Sequence, residues 1–368
     1  MKRIRIDLLR INGFRNYESL KTNFHSHINV ITGLNGAGKT SIIDSIYYLS
    51  NGRSYFTHLD SVLYKRDTDF FNLNADIFIE EDLYEIGISS SAKNKSIKVD
   101  DVVVKSIAEF YGRYPSLMIA PKDILILLDS SIERRKLIDK TISKVDKVYF
   151  KNLLIHNKLL KQRNSALKGF LKSGRRDTLL IEALNQKMVE PTEYIYKKRS
   201  EYLNDIAPII NKFYALIASD REEVSIAYKT KLAENDLLQL FKDSEQRDYA
   251  MAKTYEGIHR DDLIIKLDDK EIKKFGSQGQ LKSAIISIKL AQLEWVKNQT
   301  SRIPILLLDD IFDKLDKSRV FTFLKLCAED LNSQIFITDT DEDRVVSALK
   351  KLNLDYNHYI IEQGQIVA

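Results

Sequence analysis

Gly33, Gly38, Lys39 and Thr40 stand at the spacing G-x-x-x-x-G-K-[ST] inside INVITGLNGAGKTSIIDSI, residues 28–46. Gly36 and Gly38 carry no Cβ, so the backbone can curl tightly and aim successive N–H groups at phosphate oxygens. A helix starting at this point adds its positive dipole end. Lys39 supplies a mobile charge for the β- and γ-phosphates, and the Thr40 hydroxyl is a magnesium ligand. With Asn35, Ala37 and Ser41 completing the loop, the chemistry indicated is the cradling of a nucleoside triphosphate. A second landmark is IPILLLDDIFDKLD, residues 303–316. Its apolar run fits a buried parallel strand, and Asp309 falls at the carboxyl end, where such sheets hold ligands. In a phosphate-binding protein Asp309 is placed to hold magnesium, and Asp310 to polarise an attacking water as the catalytic carboxylate beside Lys39. A third element, Ser277, Gln278, Gly279 and Gln280, opens an amphipathic helix that includes Leu281, Ile285, Ile288 and Trp295. A serine and a glycine at a helix start make an anion site, or simply a cap.

The elements that must position these groups read as follows. Residues 28–31 form a short apolar strand entering the loop, and residues 3–9 alternate as another strand. Phe14, Arg15, Asn16 and Tyr17 turn the chain just ahead of the phosphate strand. Residues 72–105 carry the alternation of a β-meander broken by polar turns. SLMIA, residues 116–120, is a buried strand ended by Pro121. Residues 131–219 are helical, in two or three long pieces, with a break at 172–177 and kinks expected at Pro191 and Pro208. Mixed structure resumes after Glu222, with EVSIAY and LIIKL as strands. The fold class is α/β, with a mixed sheet, an antiparallel flank and a helical second lobe. The expected boundaries are 1–120 plus 222–368 for the nucleotide lobe and 121–221 for the helical arm.

The chain has 368 residues, 44% of them hydrophobic, enough for one large or two medium cores. No run of about 18 uncharged apolar residues exists, and the N-terminus leads into a strand, so neither a membrane span nor secretion is indicated. The single cysteine, Cys327, excludes an internal disulfide and suits a reducing, cytoplasmic setting as a small buried hydrophobe. The net charge of +5 decides little. Residues 147–176, however, hold nine Lys or Arg and no Asp or Glu. On a helical wheel Lys151, Lys158, Lys161, Lys168, Lys172 and Arg175 share one side, next to a stripe of Leu153, Leu160, Leu167 and Leu171. Such a stripe can neutralise a phosphate backbone; a solvated face is the plain alternative.

The order of phosphate loop, helical insertion, S-x-G-Q, then an apolar strand ending Asp-Asp with the turn 313–316, resembles an ABC-type ATPase head of the SMC kind. More narrowly, FRNY (14–17), GLNGAGKTS (33–41), NGRSY (51–55), LLKQRN (159–164), GIHRDDL (257–263), SQGQ (277–280) and LLLDDIFDKLD (306–316) resemble the RecF family of bacterial DNA repair and recombination over nearly the whole length. The resemblance implies that ATP held by Lys39 and Thr40 of one copy is covered by Ser277 and Gly279 of a second, so that a homodimer forms on ATP. It extends the nucleotide-binding set to Arg15, Asn16, Gln278 and Gln280, with Mg2+ on Thr40 and Asp309. Asp310 takes a place usually held by glutamate, and slow hydrolysis is expected to act as a release timer. The resemblance further implies DNA binding at gapped duplex and single-strand/double-strand junctions, work with RecR and RecO relatives, and help in loading RecA. Three departures stand out: Ile258 where the family has proline, Asp339 after Thr338 where many ABC proteins have histidine, and no glutamine near residues 117–121. The rival readings are a nucleotide head serving a membrane partner, which the helical arm and basic stripe do not suit, and a scaffold that binds ATP or DNA without hydrolysis.

Overall fold

The computed structural model describes residues 1–218, 222–313 and 317–367. Residues 314–316 of the expected turn, and the end of the expected helical stretch at residue 219, lie outside the described residues. The chain divides into two compact units. Unit 1 comprises Met1–Asp123, Phe213–Asp220 and Lys282–Ala368, and unit 2 comprises Ile124–Lys212 and Arg221–Leu281. This corrects the expected boundaries, because residues 222–281 fall with the helical arm rather than with the nucleotide lobe.

The described residues of unit 1 form two sheets. The first is built on β1 (Lys2–Phe14), whose apolar residues alternate inward. It pairs with β2 (Tyr17–Asn23), with β4 (Phe70–Ile79) and, through two residues, with β12 (Arg302–Ile303). The antiparallel run continues from β4 through β5 (Asp82–Ser91) and β6 (Lys95–Val99) to β7 (Val102–Val103), which is the expected meander. The turn at residues 14–17 is a β1–β2 hairpin, so a whole strand separates it from the phosphate strand, and the sequence reading missed that strand.

The second sheet has the order β16 (Gln365–Ile366), β15 (Tyr356–Glu362), β3 (Ile28–Thr32), β14 (Ile335–Asp339), β13 (Ile305–Asp309), β8 (Ser116–Ile119). All pairs are parallel except β15 with β16. INVIT, ILLLD and IFITD are buried at every position, the signature of parallel strands covered on both faces. The parallel pairing of β3, β14 and β13 brings Thr32, Asp339 and Asp309 to one sheet edge, where α1 (Lys39–Asn51) begins. Besides α1, the helices lying wholly within unit 1 among the described residues are α2 (Ile107–Phe110), α10 (Lys317–Leu326) and α11 (Glu342–Lys351). Cys327 is fully buried just after α10.

Unit 2 begins with α3 (Leu125–Leu128), α4 (Ser131–Val145), α5 (Lys147–Ser173) and most of α6 (Thr178–Ala218). Three helices thus fill the expected stretch. α6 runs through Pro191 and Pro208 without interruption, so neither proline ends it. A three-stranded antiparallel sheet follows, β11 (Lys270–Glu271), β10 (Asp262–Leu267) and β9 (Val224–Lys229), together with α7 (Leu237–Met251) and α8 (Ile272–Phe275). α9 (Gln278–Thr300) crosses the unit boundary at Leu281. It is not amphipathic: from residue 281 to 296 nearly every position is buried, Ser283, Ser287 and Gln292 included. A helix enclosed on all sides needs no polar face. Among the described residues, no helix is long and apolar enough to cross a membrane.

Candidate functional site

The phosphate loop is shaped by what touches it. Gly33 has φ +149° and passes so close to β15 that a Cβ would lie 2.3 Å from the Ile361 carbonyl oxygen. Gly38 has φ +119°, and a Cβ there would meet the Tyr17 hydroxyl at 2.8 Å. Both positions therefore require glycine on two counts, conformation and space. Lys39 is buried, and its Nζ donates to the Gly33 and Leu34 carbonyls at 2.8 and 3.1 Å, which places the ammonium inside the curl of the loop. The Gly364 N–H donates to the Ala37 carbonyl at 3.1 Å, tying the β15–β16 turn to the loop.

Beside the loop lies a cleft of about 620 Å³, lined by residues 32–37, Thr340, Glu342 and residues 360–363. Gly33, Asn35, Gly36 and Ala37 line it, whereas Lys39, Thr40 and Ser41 belong to the first turn of α1.

Arg15 and Asn16 stand behind the loop as braces. Arg15 Nη2 donates to Asp44 at 2.6 Å, and the Asn16 amide donates to the Gly36 carbonyl at 3.0 Å. Ser41 Oγ reaches Asn16 Oδ1 at 3.5 Å, and the Tyr17 hydroxyl donates to the Gly38 carbonyl at 3.3 Å. Asp44 is wholly buried and also accepts from the Ser54 hydroxyl and the Tyr55 N–H, at 2.6 and 2.8 Å. Burial pushes its carboxyl above the usual range, and the Arg15 charge and the donated hydrogen bonds oppose that. Sequence reasoning missed Asp44 and Tyr17. The signal for Asp44 was a charge within the otherwise apolar face of IIDSI.

Asp309 ends β13 and accepts two hydroxyls on one oxygen, from Thr40 at 3.0 Å and Thr338 at 2.9 Å. Burial raises its pKa, partly offset by those two hydrogen bonds. Asp310, next in the chain, has φ +49°, and its N–H donates to the Thr338 carbonyl and hydroxyl at 3.2 and 3.1 Å. Thr338, a polar residue in a strand buried throughout, is thus the hinge pin of the acidic pair, and the sequence reading assigned it no role. Asp339 is also buried. Its Oδ1 accepts from the Asp341 N–H at 2.9 Å and pairs with Arg344 at 3.5 Å, its Oδ2 is enclosed with no hydrogen-bond partner among the described residues, and burial raises its pKa.

A hydroxyl and a carboxylate are hard oxygen donors of the kind Mg2+ takes, and the Thr40–Asp309 contact sets them together. Among the described residues, no three His, Cys, Asp or Glu gather as a self-sufficient cage. Two protein oxygens, with phosphate and water supplying the rest, is the ordinary arrangement for magnesium on a nucleotide. The residues present therefore fit the ion, which when bound there would offset negative charge on the phosphate oxygens.

Ser277 to Gln280 form a reciprocal cap at the start of α9. The Gln280 N–H donates to Ser277 Oγ at 3.2 Å, and the Ser277 N–H donates to Gln280 Oε1 at 2.7 Å. The cap is real, yet it leaves Ser277 and Gln278 exposed and Gly279 half-exposed, and the Ser277 hydroxyl proton remains available to a ligand.

The basic stripe of α5 needs three corrections. Lys151, Lys158, Lys161, Lys168 and Lys172 are exposed on the helix, but α5 ends at Ser173, so Arg175 lies beyond it. The buried seam is Tyr149, His156, Leu159, Arg163 and Leu167 rather than the leucine stripe, and Leu171 is 62% exposed. That seam lies roughly half a turn from the lysines, so they face away from it rather than beside it. Arg163, one of the nine cations, is fully buried against Asp248 at 2.7 Å.

The chain matches the RecF/RecN/SMC N-terminal domain over residues 5–359. It is 34% identical over 361 residues to a DNA replication and repair protein RecF of Cytophaga hutchinsonii, spanning 98% of this chain and 96% of that one. Two solved structures are similar along its whole length. The recombination mediator protein RecF-ATPrS of the RecFOR pathway superposes with a TM-score of 0.88 at 30% identity, covering 100% of this chain and 99% of the other. Its RecF-ATP counterpart gives 0.89 at 29%, covering 99% and 97%. With the phosphate loop, the Asp309–Asp310 pair and the SQGQ cap in place on an ABC-type head, the chain belongs to the RecF family.

Proposed function

We propose that this chain is an ATP-dependent DNA-binding protein of recombinational repair, in which two copies close head to tail over ATP at gapped duplex or at a single-strand/double-strand junction. The observation that carries the reading is one of partition. Each chain has one phosphate loop, in unit 1, and one exposed SQGQ cap, in unit 2, so two complete cages arise when two copies exchange caps. In each cage Lys39 and the loop N–H groups hold the triphosphate, Thr40 and Asp309 supply the magnesium oxygens, and Asp310 orients the attacking water. Ser277 and Gly279 of the second copy close over the γ-phosphate. Asp is shorter than Glu, so the water is held less closely and hydrolysis is slow and serves as a timer that opens the dimer. On DNA the dimer works with RecO and RecR relatives to help load RecA. The similarity to the RecF-ATP structure supports the nucleotide assignment.

The test is native mass with saturating Mg·ATP for Lys39→Ala and Ser277→Arg against the unaltered chain. Both variants are expected to stay single while the unaltered chain pairs. Pairing of Ser277→Arg as readily as the parent removes the cap from the interface.

A further inference from the structure

Two family-like motifs, LLKQRN and GIHRDDL, have no part in the nucleotide site, and the structure shows what they do together. They converge inside unit 2 on the turn that follows α7. Asn164 Oδ1 accepts from the Thr254 N–H and hydroxyl at 2.7 and 2.8 Å, and Arg163 donates to Thr254 and Asp248 at 2.8 and 2.7 Å. Asp248 in turn accepts the Tyr255 N–H at 2.9 Å. The Thr254 carbonyl accepts from Arg260 at 3.2 Å and lies 3.1 Å from the His259 ring nitrogen. A fully buried ion pair is a costly way to gain stability, but it fixes geometry.

What it fixes here is the Tyr255 ring, half-exposed, with the guanidinium of Arg247 3.9 Å from its centroid and that of Arg260 4.9 Å away. Both arginines are exposed, and among the described residues neither has a carboxylate partner. Of the acids next in sequence to Arg247, Tyr255 and Arg260, Asp248 pairs with Arg163, Glu256 with Lys231 at 2.6 Å and Asp261 with Arg199 at 3.1 Å. Two guanidinium planes held on an aromatic ring lose little freedom on binding and keep their outer N–H groups for oxygens. That arrangement suits phosphate, which arginine grips in a fork.

We infer that Arg247 and Arg260, held on Tyr255, clamp the phosphodiester backbone of DNA, and that this site, rather than the α5 lysines alone, orders the nucleic acid on unit 2. The inference rests on the DNA-binding reading above.

The test is binding of the full chain, with Mg·ATP, to gapped duplex across a salt series, for Arg247→Gln/Arg260→Gln, Arg247→Lys/Arg260→Lys and Tyr255→Leu. Each neutralised phosphate contributes about 0.9 to the slope of log affinity on log salt. The double Gln variant is expected to flatten the slope by about 1.8, so the parent's advantage shrinks about tenfold between roughly 50 and 200 mM salt. The double Lys variant keeps the parent's slope at reduced affinity, and Tyr255→Leu weakens binding with its charges intact. ATP-dependent pairing stays unchanged throughout, which shows that the fold survives. A double Gln variant with the parent's affinity and slope overturns the clamp alone. A parent chain that does not bind DNA overturns both the clamp and the reading beneath it.

Discussion

The Arg15–Asp44 pair offers a sharp test of how the phosphate loop is held. Asp44 has no exposed surface and accepts three hydrogen bonds, while the Arg15 side chain is 22% exposed. Asp44→Ala strands a largely buried guanidinium, and Arg15→Ala strands a fully buried carboxylate that keeps only its Ser54 and Tyr55 donors. Removing one partner of a buried pair costs about 3–5 kcal/mol, mostly for the charge left behind. The double variant leaves no such charge, so its loss should fall short of the sum by about 1–3 kcal/mol. Urea unfolding of the four proteins gives the cycle, and ATP titration of the same four gives the functional half. If Arg15 braces the loop through Asp44, the two single variants weaken ATP to a similar degree. Losses that add within about 0.5 kcal/mol, or an ATP defect confined to Arg15→Ala, refute the brace and return Arg15 to direct contact with the nucleotide.

Other consequences follow from single sites. Gly33→Ala forces a Cβ to within 2.3 Å of the Ile361 carbonyl at φ +149°, so a loss of about 3 kcal/mol in urea unfolding is expected, and no loss would mean that β15 does not press on the loop. Burial pushes His156 down to about 3 and His259 down to about 4 from an ordinary 6.5, so the unfolded chain takes up the protons first. Their contribution to stability is complete above about pH 6.5 and is lost as pH falls to about 4 for His259 and about 3 for His156, at up to about 1.4 kcal/mol per unit for each ring. Urea midpoints between pH 7.5 and 5 should therefore fall less steeply for His156→Leu than for the parent, and equal slopes would contradict the assignment. Asp310→Asn should keep ATP-dependent pairing, slow turnover about 100-fold and prolong residence on DNA; unchanged turnover removes Asp310 from the chemistry.

What the sequence made legible was local. ILLLD announces a buried strand because it is apolar up to its terminal Asp309, INVIT because Ile28, Val30 and Ile31 outweigh Asn29, and the glycine loop between β3 and α1 carries its own spacing. What it hid depended on distant partners. β2 (YESLKTN) has few apolar residues and is a strand because β1 offers a whole edge to pair with. Arg163 looked like one more surface cation, since Asp248 lies 85 residues away. Residues 222–281 looked like a return to the nucleotide lobe because strands reappear there, yet β10 pairs with β9 on one side and β11 on the other to make a sheet of unit 2's own. In the candidate site, Lys39, Thr40 and Asp309 were legible by motif. Asp44 and Thr338 were not, because their roles are set by which backbone and hydroxyl groups packing brings to them.

The central claim is that ATP is enclosed between two copies. Sedimentation of the unaltered chain with saturating Mg·ATP and gapped duplex tests it most directly. The account predicts twice the mass of one chain with ATP and one chain's mass without it; a single-chain mass at every ATP concentration would contradict it.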